Sequence, residues 1–366
     1  MTTLETQTPS GSQALLYTQQ RYFFVALDPI HVGAGGYRLG RVDMTIVCEP
    51  GTQLPKIPGT SLSGAARSYA AMRYGKRDAA GQHNELKKDL KEQLKKGVKV
   101  KCPILYTFGT ATDSNGSSGA IPEGSTQAGT VSIGDARILF FPVSSRVGPI
   151  WVSTQEIVEE AWKAGSVTLP SHNGQKIKPD DNTIVTSLPE QNTSLNLGWL
   201  LFDSRPGLQL QPPPGRIASS VEWTAIANRL ALVSTKLFSQ IVNSNLEVRT
   251  SVSISPQTGA AESGALFTYE AIPRTTWLWS DVVEDDYRKT DVDRYPFPII
   301  NQYDSKTNTD NAGTAFPVDK QWKRPLDVVS AGMQLIEYLG VGGMGTRGFG
   351  RMKLVDEWEI NKGGIQ

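Results

Sequence analysis

The stretch RYFFVALDPIHVGAGG, residues 21–36, decides how the rest of the chain is read. Its first half is an apolar, aromatic run of the kind that fills a strand. Asp28-Pro29 ends that run, because proline has no N–H to donate and restricts the residue before it. Glycines 33, 35 and 36 then open a loop in which positive φ and close backbone approach cost little. A strand-like pattern resumes in RVDMTIVCEPG (41–51), and LPKIPGTSLSGAARSYAAMRYG (54–75) turns helical in its second half. Ser61 reads as the N-cap of that helix, with Leu62, Ala65, Ala66, Tyr69, Ala70 and Met72 along one face.

Further out, residues 76–101 carry nine Lys or Arg against four acids, with Leu86, Leu90 and Leu94 spaced every four residues on a helix ended by Gly97. A solvated helix packing a narrow leucine stripe and a supplementary RNA-backbone contact both fit that segment. Residues 111–130 are rich in Gly, Ser and Thr and read as a flexible loop. TVSIGDARILFFPVSS (130–145) gives a buried strand, and the WVS at 151–153 continues the same sheet. Residues 165–198 are polar with several turn signals. SVEWTAIANRLALVSTKLFSQIV (220–242) has apolar residues at helical spacing and predicts one long helix. VRTSVSISPQTGAAESGALFTYEAIP (248–273) predicts a hairpin around a glycine- and alanine-containing tip. Residues 281–325 are polar and read as an insertion that need not pack. A last helix around Pro325–Tyr338 leads into GVGGMGTRGFGRMKLV (340–355). Strand, glycine loop, helix, strands, helix and strand in this order predict an α+β, ferredoxin-like sheet with large insertions. The expected organisation is a flexible tail over 1–19 and one domain over 20–366, with insertions near 76–130, 165–220 and 281–325.

Composition bounds what the chain can do. At 366 residues, 39% hydrophobic and 20% charged, it is long enough for a large core, and its net charge of +1 does not advertise a polyanion partner. Any nucleic-acid binding must therefore come from local placement. Two cysteines, Cys48 and Cys102, make neither a disulfide framework nor a cysteine-rich zinc site. The three histidines, His31, His83 and His172, are too scattered for a histidine-based metal centre. No apolar run approaches the roughly 20 residues that span a bilayer, and the polar start is no signal peptide. These features read as a soluble, cytoplasmic protein without a membrane partner.

Three tracts offer chemistry. In IHVGAGGYRLGRVD (30–43) the glycines allow a phosphate or ribose to sit against main-chain N–H groups. No G-K-[S/T] follows, and the tract runs on into a strand, so neither a Walker loop nor a Rossmann turn is matched. A glycine-rich turn with no ligand remains the other reading. In PGTSLSGAAR (58–67) small residues at a helix start present N–H groups and a positive dipole end, and Arg67 could add a bidentate phosphate contact. An ordinary helix cap competes with that reading. In GVGGMGTRGFGRM (340–352) six glycines accompany Arg347, Phe349 and Arg351, a composition suited to nucleic acid. Together they suggest a chain that follows a phosphate backbone with main-chain groups and few charges. For hydrolysis the residues alone offer little beyond Asp43, the carboxylate nearest the first glycine loop. It could position a Mg²⁺ that RNA phosphates help to hold, align a 2′-hydroxyl, or simply stabilise its loop.

These tracts, in this order, resemble the RAMP superfamily of CRISPR proteins, and within it the backbone subunits of type III-B effectors. The matching stretches are residues 30–67, YTFGT (106–110), AGTVSIGDARILFFPVSS (128–145) with WVST, NRLALVSTKLF (228–238), GALFTYEAIP (264–273) and GTRGFGRM (345–352). The resemblance implies an RRM-like core that stacks side by side along a guide crRNA, with a β-hairpin thumb that interrupts the guide–target duplex. It implies cleavage of target RNA, with a divalent cation, beside an aspartate whose position Asp43 occupies. His31 falls where the family often has histidine, as a guide-contacting or loop-ordering residue. The implied RNA-binding set is His31, Gly33, Gly35, Gly36, Arg41, Lys56, Ser61, Ser63, Arg67, Arg249, Arg347 and Arg351, with Asp43 as catalytic residue and metal ligand. The implied partners are crRNA, target RNA, further copies of the chain, a large polymerase/cyclase-like subunit, a small helical subunit and capping RAMP subunits.

Two departures bear on that picture. Ser63 stands where the family usually has lysine, and Cys48 where it usually has arginine. Lys56, Arg41 and the lysines over 87–101 are the candidates to compensate. A non-catalytic scaffold or end-capping subunit, and a standalone guide-processing ribonuclease with His31 as general base, are the alternative readings.

Overall fold

The computed structural model describes residues 17–35, 42–75, 101–109, 128–189, 193–211, 215–262, 265–292, 295–299 and 322–362. Its centre is a βαββαβ unit. The strands are Thr18–Ala26, Ala136–Val143, Trp277–Glu284 and Met352–Lys362, and the helices are Gly59–Arg73 and Pro325–Leu339. The first strand lies between the third and the fourth, and the second flanks the third, all antiparallel. This is the expected ferredoxin-like, RRM-like sheet.

Alternation along the first strand sorts its side chains between two cores. Tyr22, Phe24 and Ala26 face the two helices, where Leu62 and Ala66 meet Val329, Met333 and Ile336. The helices cross so closely that a Cβ on Gly332 would lie 2.1 Å from the Ala66 carbonyl oxygen. Phe23 and Val25 face the other side, where Phe140, Trp162, Trp223, Trp277 and Trp279 are buried together. Trp358 stacks on Phe23 at 4.3 Å. The sheet face on which an RRM stacks bases is thus closed by aromatic side chains of the chain itself.

The sheet extends beyond the unit. As expected, Ile150–Ser153 pairs antiparallel with Ala136–Val143; Leu230–Leu232, Thr183–Thr186, Leu200–Pro206 and Ser194–Leu197 follow in space. The long helix expected over 220–242 is corrected by this arrangement. The segment is a short helix, Val221–Ile226, then the strand Leu230–Leu232, then a helix, Thr235–Ser244. Ser220 caps the first helix by accepting from the Trp223 N–H. Leu230, Ala231 and Leu232 are a fully buried run between two strands, and such a run cannot be told from a buried helix by spacing.

Other readings meet the structure as follows. The polar stretch near 165–198 contributes Thr183–Thr186 to the main sheet. The segment 281–325, read as an insertion that need not pack, does pack in part: the strand Trp277–Glu284 runs into it, and Phe297 and Trp322 are buried with Ala70, Ala71 and Tyr106. The leucine-striped helix at 76–101, except Lys101, and the glycine–serine loop over 110–127 lie outside the described residues, as do residues 1–16 and 300–321. The predicted hairpin is present as Glu247–Ser251 paired with Phe267–Ala271. Among the described residues no helix is long and apolar enough to cross a membrane.

Candidate nucleic-acid interface

The chain leaves the first strand at Ala26 and enters the glycine loop, which is fastened on two sides. Towards the C-terminal glycine tract, Leu27 N–H donates to the Arg351 carbonyl, Gly350 N–H to the Pro29 carbonyl and Gly343 N–H to the His31 carbonyl. Gly342 makes this approach feasible: its φ is +86°, and a Cβ there would lie 2.5 Å from the His31 carbonyl oxygen. Towards the hairpin, Ile30 pairs with Ile272 and Met44 with Tyr269. A cavity of about 420 Å³ opens between the first helix, at Thr60, Ser61, Gly64 and Ser68, and the terminal tract at Gly340, Gly342 and Phe349. The three glycine tracts singled out in the sequence therefore meet in one surface region.

His31 is buried, and its Nδ1–H donates to the Glu270 carbonyl at 2.6 Å. A carbonyl only accepts, so this contact assigns the proton to Nδ1. His31 thereby orders the loop against the hairpin, one of the two roles expected of it. Gly33 pairs with Ile46 across the loop, and Gly35 takes a φ of +65°. Gly36 and Arg41 lie outside the described residues.

Asp43 is exposed beside this junction. Its Oδ2 accepts from the Thr268 N–H at 2.7 Å and from the Thr268 hydroxyl at 3.0 Å, and its own N–H donates to Thr268 Oγ1 at 3.1 Å. Those hydrogen bonds, the backbone one first, hold the Asp43 carboxyl below the usual carboxylate range, so it is ionised at neutral pH. No hydrogen bond reaches Oδ1 among the described residues. Nor do those residues form any group of three His, Cys, Asp or Glu able to hold a metal ion.

The helix start differs from expectation. Its N-cap is Pro58 rather than Ser61, and the helix begins at Gly59. The Gly59 N–H donates to Asp135 Oδ1 at 2.8 Å, while Lys56 pairs with Asp135 Oδ2 at 2.5 Å. The chain's own carboxylate thus occupies the dipole end that could have received a phosphate. Ser61 lines the cavity, Ser63 is partly exposed, and Arg67 is half-buried, with desolvation lowering its pKa. Other cations expected to contact RNA are also engaged internally. Arg351 pairs with Asp28, and Arg249 pairs with Glu247 while lying 4.9 Å over the Phe349 ring. Arg347 lies 5.1 Å over Phe267 and makes no ion pair among the described residues. Among the described residues this surface offers main-chain groups, and Lys56, Arg249 and Arg351 are already paired with carboxylates of the chain.

The family model of the RAMP superfamily matches residues 23–353, from the first strand through the terminal glycine tract. The chain belongs to the RAMP superfamily. It is 28% identical over 271 residues to the CRISPR system Cmr endoribonuclease Cmr4 of Pyrococcus furiosus, an alignment covering 69% of this chain and 77% of that one. Its fold is similar to a chain in the cryo-EM structure of the type III-B Cmr-beta complex bound to cognate target RNA, with a TM-score of 0.54, 15% identity and coverage of 93% and 98%. A chain of the apo Cmr-beta structure gives a TM-score of 0.52 at 13% identity, over 92% and 96%.

Within this RAMP fold, sequence reasoning missed Thr268 and Asp135. In FTYEA (267–271) strand alternation puts Thr268 on the face opposite Phe267 and Tyr269, which marks its hydroxyl as available. Its partner lies 225 residues away in the chain, and nothing local announces that. Asp135 lies within the run 130–145 read as a buried strand, and it stands just before the strand that begins at Ala136.

Proposed function

We propose that the chain is the crRNA-binding backbone subunit of a type III-B CRISPR effector and that it cuts complementary target RNA beside Asp43. The observation that carries this reading is the meeting of the three glycine tracts next to an exposed, ionised and oriented carboxylate. Family membership and the endoribonuclease name of the P. furiosus relative support it. On this reading the partners are crRNA, target RNA, further copies of the chain and the other subunits of the effector. These comprise the large polymerase/cyclase-like subunit, the small helical subunit and the capping RAMP subunits, all in the cytoplasm of a prokaryote.

The residues fit a divalent cation held by one protein carboxylate. Mg²⁺ keeps several waters and is commonly bound by one or two carboxylates plus substrate phosphates, so Asp43 with RNA phosphates satisfies it without a multi-residue cluster. Bound there, Mg²⁺ would neutralise phosphate charge and polarise a phosphoryl oxygen. Thr268 further favours the charged form of Asp43 and engages Oδ2, and Oδ1, which no hydrogen bond reaches among the described residues, is the atom that would receive the ion or align a 2′-hydroxyl. In the second case the 2′-oxygen, its proton passing to water, attacks phosphorus in line to form a 2′,3′-cyclic phosphate, and the P–O5′ bond breaks with the 5′-oxygen taking a proton from water to leave as a hydroxyl.

The burial of His31 speaks against a standalone ribonuclease with His31 as general base. Ser63 and the half-buried Cys48, in place of two cations, favour the other reading, a scaffold or end cap without cleavage. Asp43→Ala in the assembled complex separates them. Cleavage at least 100-fold slower, with RNA of regular length still co-purifying, is expected of the nuclease. Unchanged cleavage at the regular sites overturns it.

A further inference from the structure

Thr268 makes three hydrogen bonds with Asp43, and they use its backbone N–H and both capacities of its hydroxyl, as donor and as acceptor. Both bonds to the carboxylate fall on the same oxygen, Oδ2. An aspartate on an exposed loop otherwise samples several rotamers; here Oδ2 is pinned to the return strand of the hairpin, while no side-chain or backbone hydrogen bond is seen at Oδ1 among the described residues. The backbone provides a separate tie: Met44 N–H donates to the Thr268 carbonyl, and Glu270 N–H donates to the Met44 carbonyl. Loop and strand thus have register bonds that do not involve the hydroxyl, which accepts from the Asp43 N–H and aims the carboxylate.

We propose that Thr268 is a positioning residue for Asp43, fixing Oδ2 so that Oδ1 is presented to the scissile RNA phosphate and its surroundings. This rests on the reading of Asp43 as the cleavage residue. Reactions that depend on one oriented group lose rate steeply when that group is misplaced by an ångström, whereas binding spread over many main-chain contacts does not. The hairpin accordingly contributes to the chemistry through its root, whatever its tip contacts.

The test uses the assembled complex with its guide RNA and measures single-turnover cleavage and target affinity separately. Thr268→Val keeps the β-branched shape and the backbone N–H while removing the hydroxyl. It is expected to slow cleavage about 10- to 100-fold with target affinity within about twofold. Thr268→Ser restores the hydroxyl and is expected to cleave within about threefold of the unmodified complex. Where the valine variant does not assemble, Thr268→Ala gives the same reading without added bulk. Full-rate cleavage by Thr268→Val, failure of serine to rescue, or equal loss of affinity and rate each overturns the positioning role. Asp43→Ala, run in parallel, tells which layer failed: if it abolishes cleavage while Thr268→Val does not change it, only the Thr268 proposal falls. If Asp43→Ala cleaves normally, the underlying reading falls first.

Discussion

Two carboxylates at opposite ends of the same sheet show how surroundings decide what an acid can do. Asp43, beside the loop that follows the first strand, is exposed and ligated by the neutral donors of Thr268, which favour its charged form. Glu284 pairs with Thr18 at the start of that strand and is almost fully buried, with its Oε2 lacking a hydrogen-bond partner among the described residues. Burial pushes the Glu284 carboxyl up to about 7, with the nearby Asp286 and Asp327 adding to the rise and Arg324 and the Leu326 N–H opposing it. Strong perturbation is commonly a guide to functional sites. Here the large upward shift marks packing between a strand end and a helix start, while the candidate site is marked by a carboxylate held ready in its charged state.

The largest effect that would break this contrast is expected at the loop end. Gly342→Ala places a Cβ against the His31 carbonyl at a positive φ, and should cost about 2–4 kcal/mol. Chemical unfolding of the chain measures this. A loss below about 0.5 kcal/mol would mean that the loop and the terminal tract are not fastened as described.

The second expectation concerns the buried end. The folded pKa of Glu284 is raised, so its contribution to stability is fully present below the unfolded carboxylate range near 4.5. That contribution is lost as pH rises through about 7. Glu284→Gln removes the titration and should stabilise the chain at pH 8 by on the order of 1–3 kcal/mol, with little change at pH 4. Urea unfolding across that range checks it, and a pH-independent difference between the two chains would contradict it.

The smallest effects sharpen the comparison at the surface. Arg351→Ala breaks the exposed pair with Asp28 and should leave stability nearly unchanged. Because that guanidinium is already neutralised, the salt dependence of RNA binding should hardly move. Arg347→Ala, at a guanidinium without an ion pair among the described residues, should reduce the salt slope by roughly one phosphate contact. Binding titrations at several salt concentrations separate the two, and equal slopes for both variants would erase the distinction.

Much of the fold was legible because its signals are local. The aromatic run at 22–25, the break at Asp28-Pro29, the small-residue helix after Pro58 and the hairpin around residue 258 each state their own conformation. Residues 220–242 were misread because Leu230–Leu232, buried on both faces, imitates a helical stripe. The helix start at 58–61 was misread because the carboxylate that fills it, Asp135, arrives from another strand. For the candidate site, glycine content pointed to three tracts that the fold joins through the terminal one, and Asp43 drew its role chiefly from family resemblance. The pairing of Asp43 with Thr268, and of His31 with Glu270, depends on the closure of the whole sheet, which no window of sequence contains.

The central claim is that charge at Asp43, and not merely its shape, cuts the target strand. Asp43→Asn tests this most directly, since an amide keeps an oxygen to accept from Thr268 while removing the negative charge. In the assembled complex with saturating complementary RNA, the account predicts single-turnover cleavage slowed at least about 100-fold, with target affinity unchanged within about twofold. Cleavage by Asp43→Asn within about threefold of the unmodified complex, at the same sites, would contradict it.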